Sequence, residues 1–296
     1  MMEEKMTISA QERVDESVLR AGAKRADGQE RPLRRIRLTV AYDGTNYNGW
    51  QLQPNGITIE EVLNKAISSL TGEEIAVIGA SRTDSGVHAR CNCAVFDTRM
   101  RMPAEKFSYA LNQRLPEDVR IRKSEEAAPD WHPRKCDSIK TYEYRILNEE
   151  FPDPLNRLYA HFTYLKLDVD KMQDAAQYLV GEHDFKSFCS ANTQAESTVR
   201  RITALNVTRQ GNLITIRVSG TGFLYNMVRI IAGTLMDVGN GKYEPEKCRK
   251  SCVHVTEMQP VLQRLQEGSH LRNMNFSDSP QRPAKPVFTG NFADKK

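Results

Sequence analysis

Hydrophobic and polar positions alternate at the start of the patterned part of the chain and then change to a helical period. Residues 36–41 alternate as a half-buried strand does. Thr58 and Glu61 form a capping box, and the apolar residues that follow recur at helical spacing until Gly72. The pattern therefore predicts a strand, and then a helix that begins after Thr58 and ends before Gly72.

Short strands and one more helix are predicted in the rest of the first half. The strands fall at about 75–80, 93–98 and 119–124. The helix begins at Pro103, a residue that suits the first helical turn. The resulting order, β-α-β-β-α-β, is that of a split βαβ, ferredoxin-like unit.

The second half repeats this theme. Its strands are predicted at 141–147, 202–208 and 213–218, the last two joined as a hairpin by the turn residues R-Q-G-N. Asp168 caps a helix that runs to Leu179, and an apolar helix at 223–238 carries one cation, Arg229. We predict an α+β fold of two ferredoxin-like halves that share an extended antiparallel sheet, with helices on one side and a central cleft.

Four regions follow from these patterns. Residues 1–34 lack a sustained hydrophobic period and are predicted to be a flexible extension. Residues 35–138 and 139–250 are the two α/β halves. Residues 251–296 are rich in His, Gln, Ser and Pro, and they are predicted to be a poorly ordered tail without a convincing strand, which would leave a sheet edge exposed.

Composition limits the cellular setting. No run approaches the roughly 20 apolar residues of a membrane span, and the polar N-terminus lacks the apolar core of a secretion signal. We therefore expect a cytoplasmic protein. Its six cysteines do not combine with histidines at zinc-site spacing, so we expect free thiols and no metal.

Net charge is only +4 among 296 residues and does not by itself indicate a nucleic-acid-binding protein. Cations are nevertheless clustered in the sequence. The clusters are compatible with a surface that binds the phosphates of a nucleic acid, or with ordinary solvent-exposed faces of helices and strands. The clusters are Arg31, Arg34, Arg35 and Arg37; Arg99 and Arg101; Arg200 and Arg201.

The segment GASRTDSGVHA at 79–89 carries the clearest candidate chemistry. It follows a short apolar strand, and side chains two residues apart in extended backbone point the same way. Arg82 is therefore expected to hold the Asp84 carboxylate ionised, as a nucleophile or a base requires. The alternative is a surface Arg–Asp pair that closes a turn. His88 is expected to hold the loop through hydrogen bonds.

This segment resembles the signature of the tRNA pseudouridine synthase A family. Three further blocks match that family in order: YDGTNYNGWQ at 42–51, TYEYRI at 141–146 and FLYNMVR at 223–229. The sequence departs from the family at Ser81, where glycine is usual, at CNC (91–93), and in the tail, which lacks the family's Gly-Pro loop and final strand.

The resemblance implies that the protein isomerises uridine in tRNA. Asp84 would be the catalytic nucleophile, attacking either the sugar or the base, or else it would abstract a sugar proton. Arg82, Tyr142 and Arg229 would be substrate-binding: Arg82 as an intruding cation, Tyr142 against the target base, and Arg229 as a buried ion-pair partner. No cofactor is expected, because isomerisation exchanges no electrons. The resemblance further implies the anticodon stem-loop as the target and a homodimer as the functional unit.

Two other functions fit parts of the sequence. A catalytically impaired paralogue would keep the fold and the RNA binding, and the divergent tail favours it. A hydrolase that used Asp84 would need a second carboxylate or a metal set, neither of which is evident in the sequence.

Overall fold

The N-terminal half has the predicted order of elements. In the computed structural model, which describes residues 31–190, 195–246, 248 and 269–276, its elements are β1 (Arg34–Tyr42), α1 (Ile59–Thr71), β2 (Ile78–Gly79), β3 (His88–Thr98), α2 (Phe107–Asn112) and β4 (Val119–Ala127). The prediction of β-α-β-β-α-β is confirmed. Helix α1 begins as expected, because the Thr58 hydroxyl accepts a hydrogen bond from the Glu61 N–H at 3.3 Å.

The C-terminal half contains the predicted hairpin and two helices. Its elements are β5 (Ser138–Asn148), β6 (His161–Thr163), α3 (Val169–Gln177), β7 (Gly181–Asp184), β8 (Val199–Gln210), β9 (Leu213–Gly220) and α4 (Met227–Gly239). Asp168 caps α3 by accepting hydrogen bonds from the next N–H groups, those of Asp170 and Lys171. Helix α4 begins later than predicted, because Asn226 has left-handed backbone angles.

One sheet joins the two halves, as the prediction of a shared sheet in an α+β fold expected. A last strand, β10 (Ser269–Phe276), completes a path in the order β4-β1-β3-β10-β5-β9-β8-β7, with β2 on β3 and β6 on β5. Most neighbours are antiparallel, but β10 runs parallel to β3 and β6 runs parallel to β5. Each half keeps its own hydrophobic cluster, one within residues 36–121 and the other within 144–248.

The prediction that the tail has no strand is wrong. Strand β10 pairs with β5 from Ser269↔Tyr144 to Phe276↔Ser138. A register shift between Leu271 and Asn273 explains why the sequence pattern hid it, since an extra residue breaks the two-residue period of the apolar positions. The remainder of 251–296, like residues 1–30, lies outside the described residues.

We expect β10 to be essential for the stability of the sheet. A chain that ends at residue 268 would leave β3 and β5 with unpaired inner edges, and we expect it to lose at least about 3 kcal/mol of unfolding free energy or to aggregate. Denaturant unfolding measures this loss. A chain that ends at residue 276 retains β10 and is the matched control. Equal midpoints for the two truncated chains would contradict the prediction.

Candidate active site

Asp84 lies in a tight turn between β2 and β3. The Val87 N–H donates to the Asp84 carbonyl at 3.2 Å and closes this turn. The loop after β1 supports it from the side, because the Trp50 N–H donates to the Thr83 carbonyl at 3.0 Å and the Gly86 N–H donates to the Tyr47 carbonyl at 3.2 Å. The position of Asp84 is therefore fixed by backbone contacts between two loops.

Two glycines allow these loops to approach each other. A Cβ atom on Gly44 would lie 2.2 Å from the Val87 carbonyl oxygen. One on Gly49, whose φ is +82°, would lie 2.5 Å from the Thr83 carbonyl oxygen. Both distances are shorter than van der Waals contact with rigid backbone, so larger residues would displace the turn that carries Asp84.

The carboxylate of Asp84 receives its support from helix α4. The Asn226 N–H donates to Asp84 Oδ2 at 3.3 Å. Burial raises the pKa of Asp84, whereas the nearby Arg229 guanidinium and the Asn226 N–H act in the opposite direction. Arg229 is itself only 8% exposed and donates from Nη2 to the Ser85 carbonyl at 2.6 Å. A cation inside an apolar helix thus lies beside the partly buried carboxylate of Asp84.

Tyr142, on β5, forms a wall of the same cleft. Its ring meets the edge of Phe223 at 5.0 Å between centroids and 76° between planes. Burial raises the pKa of its hydroxyl well above the usual value. The hydroxyl is therefore protonated at neutral pH and can donate a hydrogen bond.

These side chains surround a cavity of about 660 Å³. Asp84, Arg82, Tyr142 and Arg229, which the sequence singled out, all line it. The other lining residues were not assigned to the site from the sequence. They come from the loop after β1, the turn that carries Asp84, and the start of α4 with the segment before it: Asn48, Gln51, Leu52, Gln53, Thr83, Ser85, Val87, Phe223, Leu224, Tyr225, Asn226, Met227 and Val228.

A second cavity, of about 1080 Å³, adjoins the first and shares Arg82, Tyr142 and Phe223 with it. Cations dominate its lining, namely Arg82, Arg134, Lys135, Lys140 and Arg201, against the two carboxylates Asp137 and Glu182. Burial, followed by the neighbouring Arg82, lowers the pKa of Arg134, and burial lowers the pKa of Lys140 to about 8. Like charges held together in this way favour an anionic ligand.

His88, at the end of the Asp84 loop, connects the two halves. Its Nδ1 lies 2.9 Å from Asp43 Oδ1, its Nε2 lies 3.2 Å from the Leu158 carbonyl, and its ring packs on Tyr159. The Tyr159 hydroxyl donates to Asp43 Oδ2 at 2.6 Å. As expected for a loop-holding residue, His88 makes hydrogen bonds on both sides of the junction.

Comparison with known proteins identifies the family of the chain. A family model described as tRNA pseudouridine synthase matches residues 38–134 and 175–268. The chain belongs to this family. It is therefore an isomerase.

The chain matches several curated members of this synthase family over most of their length. A tRNA pseudouridine synthase A 2 from Clostridium perfringens is 48% identical over 214 residues, 72% of this chain and 88% of that protein. A tRNA pseudouridine synthase A from Caldicellulosiruptor bescii is 48% identical over 72% of this chain and 87% of its own. One from Ruminiclostridium cellulolyticum is 49% identical over 71% and 86%.

One expectation about the synthase site is wrong. Within the described residues, neither a hydrogen bond nor an ion pair joins Arg82 to Asp84, and the cation beside the carboxylate is Arg229. The reason is the turn at Asp84, since the alternation of side chains holds only in extended backbone. Arg82 is instead exposed at the boundary of the two cavities.

The membrane and metal expectations can be compared with the described part of the chain only. There, no helix has the length and apolarity needed to cross a membrane. Likewise, no group of three or more His, Cys, Asp or Glu residues within it is arranged to hold a metal ion.

The close approach of the two loops gives a direct test. We expect Gly49→Ala to lower the unfolding free energy by about 3 kcal/mol, because backbone strain adds to overpacking. Gly211→Ala is the matched control, since Gly211 has φ +60° but nothing within 4 Å of an added Cβ. Gly211→Ala should lower the unfolding free energy only by the backbone strain, about 1 kcal/mol. Similar losses in denaturant unfolding would show that the approach to Thr83 is unimportant.

Proposed function

We propose that this protein converts uridine to pseudouridine in tRNA, with Asp84 as the nucleophile. The observation that carries the proposal is the Asp84 carboxylate, withdrawn into a cleft between two halves and supported there by Arg229 and by the Asn226 N–H. A carboxylate with little solvation is a stronger nucleophile than one in water, and the two contacts fix its direction.

The reaction requires a carboxylate and a place for a detached base. The Asp84 carboxylate bonds transiently to the sugar or to the base, and the N-glycosidic bond of uridine breaks. The base turns, its C5 atom bonds to the same sugar carbon, and the bond to Asp84 breaks. N1 gains the proton that C5 loses, so the product has the composition of the substrate. A cavity of about 660 Å³ that includes Tyr142 accommodates an extruded nucleoside, which stacks on an aromatic ring while it turns.

The basic cavity supports RNA as the substrate. Arg134 and Lys135 are exposed and form no ion pair with the described residues, so their charges remain available to phosphates. The arginines near the N-terminus differ from them, because Arg34, Arg35 and Arg37 pair with Glu126, Asp97 and Glu125. We therefore assign phosphate binding to the second, basic cavity and not to the arginines at 31–37.

Two further parts of the proposal rest on the family resemblance: the target uridines lie in the anticodon stem-loop, and the functional unit is a homodimer. The proposed cytoplasmic location rests on the composition of the sequence. The segments on either side of β6 support a subunit contact, because Phe151 and Leu155 before it and Tyr164 after it are each more than 70% exposed. Exposed apolar groups of this kind are commonly covered by another protein surface.

Asp84→Asn tests the nucleophile. We expect it to abolish pseudouridine formation and to leave tRNA affinity within about threefold, because phosphate contacts supply most of the affinity. Asp170→Asn, on the exposed first turn of α3, is the control. Pseudouridine is measured by mass spectrometry of digested tRNA after base-specific derivatisation. Turnover by Asp84→Asn at the parental rate would exclude Asp84 as the nucleophile.

A double substitution tests the phosphate site. We expect Arg134→Gln with Lys135→Gln to weaken tRNA binding about tenfold at low salt and to reduce the salt slope by about 2. Arg122→Gln with Lys166→Gln removes the same charge from exposed positions that line neither cavity. If both double variants changed the affinity and its salt slope equally, general charge and not this cavity would account for binding.

A further inference from the structure

Helix α4 begins with a residue in an unusual conformation. Among the described residues, Asn226 is the one residue other than glycine that has a left-handed φ, at 59°. This conformation is costly for residues with a Cβ, although Asn tolerates it better than most. Asn226 is also the N-cap of α4, but its side chain does not cap the helix. The surrounding structure must therefore maintain a conformation that is not needed for ordinary capping.

A neighbouring segment maintains it. The Asn226 side chain donates from Nδ2 to Ser190 Oγ at 2.9 Å, and the Ser190 N–H donates to the Tyr225 carbonyl at 3.3 Å. These two bonds fix the side chain of Asn226 and the peptide that precedes it. The Asn226 carbonyl still accepts the first helical hydrogen bond, from Ile230 at 3.0 Å. The backbone N–H of Asn226 is left to point away from the helix, and it meets Asp84 Oδ2.

We propose that Asn226 is a positioning residue, held left-handed by Ser190 so that its backbone N–H orients the Asp84 carboxylate. This inference rests on the proposed role of Asp84 as the nucleophile. In this arrangement Asp84, from the N-terminal half, lies at the N-terminus of α4 and accepts the N–H of its N-cap residue. A helix N-terminus carries a partial positive charge, so it favours an anion at this position.

Two groups at the start of α4 contact or face the Asp84 carboxylate, namely the Asn226 N–H and the Arg229 guanidinium. Arg229 follows Asn226 by three residues, nearly one helical turn, and its guanidinium opposes the protonation that burial favours. Arg229 supplies charge, whereas the N–H of Asn226 supplies direction through a single hydrogen bond. Both contacts depend on the placement of α4, so the strained residue at its start determines where the carboxylate points.

Comparison of Asn226→Ala with Asn226→Gly separates the backbone from the side chain. Alanine disfavours a left-handed φ, so its N–H should turn away, and we expect kcat to fall about tenfold at pH 7. Glycine adopts this φ without strain, so we expect it to restore at least about a third of the parental kcat. Ser190→Ala, which removes only the anchor, should lie between them.

The pH profile gives a signature that loss of packing would not produce. Turnover requires ionised Asp84, and a donated N–H favours the ionised form. Loss of the N–H raises the pKa of Asp84, so the acid limb of kcat should move to higher pH in Asn226→Ala. The loss of rate should accordingly be larger at pH 6 than at pH 8. In Asn226→Gly the acid limb of the kcat profile should stay near the pH at which it lies in the parent protein.

A measurement on the parent protein follows the Asn226 N–H directly. The sequence has two Tyr–Asn steps, 47–48 and 225–226, so labelling Tyr carbonyls with ¹³C and Asn amides with ¹⁵N selects two amide signals. The one that is absent from Asn226→Gly belongs to Asn226. We expect this signal to titrate with the acid limb of kcat, and to stop doing so in Asp84→Asn.

The outcomes separate this inference from the proposed function. Parental turnover by Asp84→Asn would overturn the proposed nucleophile. An inactive Asp84→Asn together with a parental kcat and pH profile for Asn226→Ala would overturn the positioning role alone. Equal losses in the alanine and glycine variants without a shift of the acid limb would also overturn it, as would an Asn226 amide signal that does not titrate.

Discussion

The arrangement of the site depends on the free energy needed to keep the Asp84 carboxylate ionised where it has little contact with water. Asp84 has a raised pKa because burial outweighs the favourable contacts that it receives. Those contacts come from α4, in the other half of the chain, through Arg229 and the Asn226 N–H. The site therefore exists only while the two halves keep a fixed separation, and the junction between them has a chemical role as well as a structural one.

Strand β10 maintains that separation. It lies between β3, which begins at His88 directly after the Asp84 loop, and β5, which carries Tyr142. Leu271 is paired in register with Ala89 on one side and with Tyr142 on the other, so a single strand connects the backbone of the loop to the backbone of the aromatic wall. The contacts of His88 with Asp43 and Leu158 reinforce the same junction. A tail whose composition predicted disorder thus contributes to the geometry of the site.

Local signals in the sequence are sufficient for most elements and for four residues that the structure places around one cavity. Thr58 and Gly72 bound α1 because capping chemistry acts over a few residues, and Asp84 was recognisable from its motif. What could not be predicted depended on tertiary contacts. The pairing of Arg82 with Asp84 failed because the chain turns there, and Arg229, 145 residues later, provides the cation instead. The strand β10 was hidden by its bulge, and the role of Asn226 depends on a φ angle that no local pattern encodes.

The distribution of paired and unpaired charges explains how a chain of modest net charge can offer a site for a polyanion. On β1 the cations of Arg34, Arg35 and Arg37 are neutralised by carboxylates on the neighbouring strands β4 and β3, so they add little to the external field of the sheet. Around the second cavity the cations lie beside one another, and burial together with the neighbouring Arg82 lowers the pKa of Arg134. Phosphates bound there, as proposed, would relieve this repulsion. Because Arg82 and Tyr142 border both cavities, phosphates bound in the basic cavity, as proposed, would lie next to the cavity that Asp84 lines.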